Sequence, residues 1–146
     1  TYAPLPMKFE AGTQNFASAA TLKPAIELLN ILNDNNLEEY NNSIKDYLLN
    51  ILINDERIRL YGVPRGTSEE KIPLFSFTVK GIHHEDLALI LDKMGIAVRS
   101  GQMCAEPLMD RFGVTGMLRI SLAPYNTMQE AEYFVKCLNK AIDMLI

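Results

Sequence analysis

The chain has 146 residues, with 14 Lys and Arg against 18 Asp and Glu, a formal net charge of −4, and two cysteines. That length predicts one domain around one core, and 48% hydrophobic with 22% charged residues excludes a disordered polyelectrolyte. The weak, dispersed acidity argues against nucleic acid or an anionic membrane as the partner. No run approaches the roughly 18 apolar residues of a membrane span, and two cysteines do not make a disulfide framework, so the expected setting is a reducing cytoplasm. The start at Thr1 and the extended look of residues 1–6 suggest a connector belonging to something longer.

Apolar residues at helical spacing (Phe16, Ala20, Leu22, Ile26, Leu29, Ile31, Leu32) predict a helix over residues 16–32, ended by the asparagine-rich stretch 33–36. A second helix follows, with Leu37, Tyr40, Ile44, Tyr47, Leu48, Ile51 and Leu52 as its apolar stripe. Residues 58–61 read as a short strand stopping at Gly62, and 63–71, with Pro64, Gly66 and a run of charge, as an exposed loop. In the next strand, 74–79, Phe75, Phe77 and Val79 alternate with Leu74, Ser76 and Thr78. A helix over 85–94 is stopped by Gly95. Then come a strand at 96–99, a loop at 100–106, a short helix with Pro107 as its first residue, and a strand at 117–122. Thr127 followed by Glu130 announces a capping box for the last helix. The order α-α-β-β-α-β-α-β-α implies an α/β chain of the α+β kind, a small, mainly antiparallel sheet with helices mostly on one face. Residues 1–15 are expected to be a connector and 16–146 the domain.

The informative stretch is Arg99-Ser100-Gly101-Gln102-Met103-Cys104-Ala105-Glu106-Pro107. A thiol on a glycine-containing loop close to a helix N-terminus, with Arg99 nearby, is in the environment that stabilises a thiolate, although Glu106 opposes it. A buried structural cysteine is the competing reading for Cys104, and it is the one adopted for Cys137, on the flank of the last helix's apolar stripe. Arg119 interrupts an apolar strand. It is either a solvated edge residue, which pattern alone favours, or a receptor whose planar fork suits a carboxylate. His83 and His84 precede a helix and read as capping or surface residues, since no further His or suitably spaced Cys makes a metal set. The segment around Gly12 and Thr13 enters a helix, where an N-cap at Thr13 or Asn15 is favoured over a phosphate site.

Read together, three segments resemble the cysteine desulfurase and selenocysteine lyase family of class V aminotransferases. Phe9-Glu10-Ala11-Gly12-Thr13 resembles the family's F-E-A-G-T-P-N motif. Gly95-Ile96-Ala97-Val98-Arg99-Ser100-Gly101, followed by Cys104, resembles G-I-A-V-R-x-G-H-x-C. Arg119 and Ser121, with Tyr125-Asn126-Thr127, resemble R-x-S-x-x-x-Y-N-T. The likeness is greatest to the Suf-type branch with its short cysteine loop, and it implies the C-terminal small domain of a fold type I enzyme dependent on pyridoxal 5'-phosphate. By resemblance, L-cysteine or L-selenocysteine is the substrate, Cys104 the nucleophile that carries a persulfide, Arg119 the carboxylate receptor, Arg99 a neighbour of substrate and loop, and Thr13 a contact to the cofactor phosphate of the other subunit of a homodimer. A sulfur-acceptor protein in iron–sulfur cluster assembly is the implied partner. The family's Schiff-base lysine, pyridine-facing aspartate and ring-stacking histidine are expected upstream of Thr1. Gln102-Met103 replaces the histidines usual before the cysteine, and Gln14 replaces a proline. Another class V lyase, or a free-standing thiol carrier without cofactor, are the alternatives.

Overall fold

The computed structural model describes residues 2–33, 37–62 and 71–146, and the chain divides into two compact units, Thr1–Leu37 and Glu38–Ile146. In the first, a 3-10 turn at Met7–Phe9 precedes α1 (Phe16–Ala20) and α2 (Leu22–Asn33). The side chain of Asn15 caps α1 by accepting the N–H of Ser18 at 3.3 Å. The single helix expected over 16–32 is therefore two. At Thr21 the hydroxyl donates to the Ser18 carbonyl at 2.7 Å and the N–H bonds to the same oxygen at 3.1 Å. This tightens the turn and withdraws the donor from the next helical bond.

Beyond it lie α3 (Leu37–Asn54), β1 (Ile58–Tyr61), β2 (Leu74–Val79), α4 (His84–Lys93), β3 (Arg99–Gly101), α5 (Glu106–Phe112), β4 (Met117–Ser121) and α6 (Met128–Leu145). The loop expected at 63–71 falls outside the described residues except for Lys71, as does most of the break expected at 33–36. The strands form one sheet in the order β1-β2-β4-β3, every pair antiparallel. Strand alternation sorts the side chains: Phe75, Phe77, Val79, Leu118 and Ile120 join Ile44, Leu48 and Leu52 of α3, Leu87 and Leu91 of α4, and Phe134, Leu138 and Ile142 of α6 in one buried cluster. On the opposite face, α5 packs Met109 against Tyr61 and Met117. The expected α+β sheet with helices mostly on one face is what forms.

Three local expectations need correction. β3 begins at Arg99 rather than at Ile96, because Ile96 still donates to the Leu91 carbonyl at 3.0 Å while Gly95, at φ 78°, donates to Asp92 at 2.9 Å. This left-handed helix ending keeps Ile96 bound to α4 and away from the sheet. Second, Ser100 and Gly101, expected in a loop, belong to β3. Third, α5 opens at Glu106, so Pro107 is its second residue. Elsewhere the local signals hold: His83 caps α4, its Nδ1 accepting the Glu85 N–H at 3.4 Å, and Thr127 and Glu130 complete their capping box on α6 with bonds of 3.2 and 2.8 Å.

Candidate functional site

The ladder places Tyr61 opposite Ser76, Ser76 opposite Arg119, and Arg119 opposite Arg99. Residues directly opposite in a sheet share a face, so these four form one row across all four strands, on the face that carries α5. Arg119 is half-buried and Arg99 exposed. Among the described residues no carboxylate lies within 4.0 Å of either guanidinium, and the buried Nε of Arg119 has no hydrogen-bond partner. Opposed like charges and an unsatisfied buried donor both cost free energy in the free chain. An anion accepting from Arg119 removes both penalties.

A cleft of about 360 Å³ opens beside this row, between the sheet and α5, with Tyr61, Lys71, Ser76, Met117 and Arg119 among its walls. Met103 and Ala105 also line it, and Cys104 lies between them in the chain, exposed and free. The backbone there is unusual: Met103 and Cys104 have φ of 57° and 58°, two successive residues in the left-handed region that side chains with a Cβ avoid. Ala105 then caps α5 without any side-chain bond. The turn keeps the thiol in solvent while its neighbours face the cleft. Lys71, half-buried at the cleft wall, has its ammonium 5.1 Å from the centre of the Phe75 ring, and burial pulls its pKa below that of an ordinary lysine.

A larger cleft, about 560 Å³, lies at the β1 edge near His83, His84, Arg59 and Lys80, and it contains none of Cys104, Arg99 or Arg119. The two clefts share Tyr61, whose hydroxyl pairs with Thr78 Oγ1 at 3.2 Å and whose ring meets Phe112 at 5.0 Å. Burial foremost, with the charge of His83 second, pushes the His84 imidazole pKa down against the pull of Glu85 and Asp86. Cys137 is buried in the main core, where the sequence placed it.

Sequence reasoning thus singled out Cys104, Arg99 and Arg119, and the fold carries all three on strands or loops bordering one face of the sheet. Thr13, exposed in the first unit, follows Gly12 at φ 75°. Lys71, Ser76 and Tyr61 went unremarked as cleft residues. The only signal was phase: Ser76 falls on a strand position that alternates with the buried Phe75 and Phe77, while Tyr61 is itself buried and stands opposite it.

Residues 1–134 match the family described as aminotransferase class-V. The chain belongs to that family. Among relatives of this class-V chain, a Vibrio cholerae protein named probable cysteine desulfurase is 39% identical over 145 residues, covering 99% of this chain and 35% of its own length. Escherichia coli cysteine desulfurase CsdA is 35% identical over 141 residues, 97% of this chain and 34% of that protein. The crystal structure of CsdA in its S-sulfonic acid form superposes with a TM-score of 0.78 at 35% identity, over 97% of this chain and 34% of that one. The apo cysteine desulfurase of Thermococcus onnurineus NA1 gives 0.77 at 32% identity, over 96% and 34%. The chain spans about a third of the length of these relatives. No described helix is long and apolar enough to cross a membrane.

Enzymes of the class-V group depend on pyridoxal phosphate, and one part of this chain suits that cofactor's phosphate. Around Thr13 the N–H groups of Ala11, Gly12, Thr13 and Gln14 and the Thr13 hydroxyl make no hydrogen bond among the described residues. These donors, exposed beside a left-handed glycine, form a set that a phosphate accepts from.

Proposed function

We propose that the chain is the C-terminal small domain of a pyridoxal-phosphate-dependent cysteine desulfurase, with residues 1–15 as its connector to the cofactor-binding part. The whole enzyme converts L-cysteine to L-alanine and leaves the sulfur on Cys104 as a persulfide, for transfer to an acceptor protein in iron–sulfur cluster assembly. The observation that carries this reading is the pairing of a free, exposed thiol with a cleft whose half-buried Arg119 has no counter-charge among the described residues.

Arg119 would hold the substrate α-carboxylate. Its rigid fork gives two parallel charge-assisted bonds, and its fixed place in β4 orients the amino acid. Arg99, opposite it, adds a second positive charge from the solvent side. Pyridoxal phosphate, when bound, supplies the electron sink at the amino-bearing carbon that labilises the substrate's carbon–sulfur bond. Thr13 and the neighbouring N–H groups would hold its phosphate, contributed across a homodimer. Cys104, as the thiolate, attacks the substrate sulfur: the new S–S bond forms as the Cβ–S bond breaks, and the electron pair stays with the substrate carbon, which takes a proton to become the alanine methyl group. A loop thiol in solvent suits the next step, presentation of the persulfide to an acceptor. L-Selenocysteine, whose carbon–selenium bond is weaker and whose selenium is the softer centre for thiolate attack, would be accepted at the same site.

The test uses the gene product that contains this chain, loaded with pyridoxal phosphate and supplied with L-cysteine. Alanine release, with one added sulfur located on Cys104 by mass spectrometry and lost in Cys104→Ser, is the expected result. Turnover that survives Cys104→Ser, with no sulfur on the protein, overturns the persulfide role. The 146 residues alone, lacking a lysine in the Schiff-base context, should release no alanine.

A further inference from the structure

We propose that Ser76 is a second carboxylate-binding residue beside Arg119, its hydroxyl donating to the same α-carboxylate that the guanidinium receives. This rests on the function proposed above and adds a residue to it. Three observations carry it, and the first is register. Leu122 donates to the Pro73 carbonyl at 2.9 Å. With Phe75 opposite Ile120 and Phe77 opposite Leu118, that bond puts the backbone exchange between β2 and β4 on residues 73, 75 and 77. Ser76 and Arg119 therefore face each other as a non-hydrogen-bonded pair, the kind whose Cα atoms approach to about 4.5 Å and whose side chains lie closest. The β1 side agrees: Lys80 donates to the Arg57 carbonyl at 2.8 Å, which turns the backbone of Ser76 toward Tyr61 instead.

The second observation is direction. Phe75 and Phe77 are fully buried in the main core, so alternation holds Ser76 on the other face of the sheet. There Ser76 and Arg119 are walls of the same cleft of about 360 Å³, whereas Arg99, across on β3, is not. The cleft thus opens on the Ser76 side of Arg119. The third is availability. Ser76 is half-buried, and its hydroxyl makes no hydrogen bond among the described residues. The other side-chain donors of the cleft walls are placed elsewhere: the Tyr61 hydroxyl pairs with Thr78 Oγ1 at 3.2 Å, and the Lys71 ammonium lies 5.1 Å from the centre of the Phe75 ring. Ser76 is the donor left beside Arg119.

The chemistry suits a hydroxyl at this position. A carboxylate has about four lone-pair sites, of which a guanidinium fork occupies two. A neutral donor can fill a third without adding charge to a row that already opposes Arg99 to Arg119, and without repelling the substrate's own amino group. The buried Nε of Arg119 has no partner, so an anion that satisfies it has to enter the cleft that the serine borders.

The experiment uses the gene product that contains this chain, loaded with pyridoxal phosphate, as wild type, Ser76→Ala and Ser76→Thr. The dissociation constant of L-alanine, which carries the same carboxylate, is read by calorimetry. Loss of a hydrogen bond to a charged acceptor should raise it about fivefold to thirtyfold in Ser76→Ala, with Ser76→Thr close to wild type and urea midpoints unchanged. KM for L-cysteine should rise by the same factor at constant kcat, because the carboxylate is held equally before and during reaction. An unchanged dissociation constant in Ser76→Ala overturns the proposal, and so does a loss that threonine fails to restore while the urea midpoint is unchanged. Absence of L-alanine binding to the wild type overturns it as well. If Ser76→Ala unfolds, Ser76→Cys, close in size but a weak donor, read against Ser76→Thr decides by the same criterion. Binding of L-alanine requires no sulfur and no turnover, so failure here is separate from failure of the desulfurase reading, which the alanine-release and persulfide measurements decide.

Discussion

Arg99 and Arg119 stand directly opposite one another on adjacent antiparallel strands, two like charges on the same face of the sheet. Such a pair destabilises a ladder, and the buried Nε of Arg119 adds an unsatisfied donor. The fold holds this arrangement because the surrounding rows are strong: Leu118, one position before Arg119, is fully buried in the main core. Arg119→Met keeps the side-chain length and removes both penalties. It is expected to stabilise the ligand-free chain by about 0.5–1 kcal/mol, read as a raised urea midpoint. On the function proposed above, the same change in the whole protein should raise KM for L-cysteine by about tenfold to a hundredfold, the cost of losing hydrogen bonds to a charged group. A variant both less stable and unchanged in KM would contradict the assignment.

The arginine opposition also marks where sequence reading stops. Thr127 with Glu130, and His83 before α4, are legible because their partners lie two or three residues away. Phe75, Phe77 and Val79 are legible because alternation is a local period. The opposition of Arg99 and Arg119, 20 positions apart in sequence, depends on the pairing register of β3 with β4. That register was in turn displaced by a purely local event, the bond from Ile96 to Leu91 that delays the strand. The thiol's position could be read from its motif, but its companions in the cleft could not: Lys71, Ser76 and Tyr61 come from elements that meet only through sheet order. The division at Thr21 escaped notice because a threonine within an apolar period carries no fixed sign of how its hydroxyl will bond.

Arg57 ties the entry of β1 to α6. Its guanidinium bonds the Asp55 carboxylate at 2.7 Å and also reaches Asn139 and Asp143. The hydrogen bond from Arg57 is the leading cause holding the Asp55 pKa below the usual carboxylate value. A carboxyl with a lowered pKa in the folded state contributes stability that is present above its unfolded pKa and is lost as pH falls through the folded one. Asp55→Asn should therefore cost about 0.5–1 kcal/mol at neutral pH, a value discounted for the partial exposure of the pair. The difference between the two proteins should shrink toward zero as pH falls from neutral to well below the ordinary carboxylate range. Urea midpoints at the two pH values check it, and a deficit of equal size at both would refute the linkage.

At Gly116 the absence of a side chain is a packing requirement. A Cβ there would collide with the His84 ring, its imidazole Nε2 foremost. Gly116→Ala is expected to destabilise the chain by about 1–3 kcal/mol, the range for overpacking a filled site. His84→Ala removes the obstacle, so the double variant should recover most of that loss, giving a coupling of at least about 1 kcal/mol. Additive losses across the cycle would show that the glycine is needed for another reason.

Cys104 holds a left-handed backbone, φ 58°, that a residue with a Cβ adopts at a cost. Its side chain is exposed, so truncating it removes no packing. Cys104→Ala leaves the backbone cost in place and should be neutral in stability. Cys104→Gly relieves it and should gain about 0.5–1 kcal/mol over the alanine variant, after allowing for the glycine's extra unfolded-state entropy. Both variants lack the thiol and should accept no sulfur. A gain in stability at the position where chemistry is lost would mean that the turn is kept strained for the thiol it presents. Equal midpoints for Cys104→Gly and Cys104→Ala would mean that the turn's shape is dictated by its neighbours at no cost to this residue.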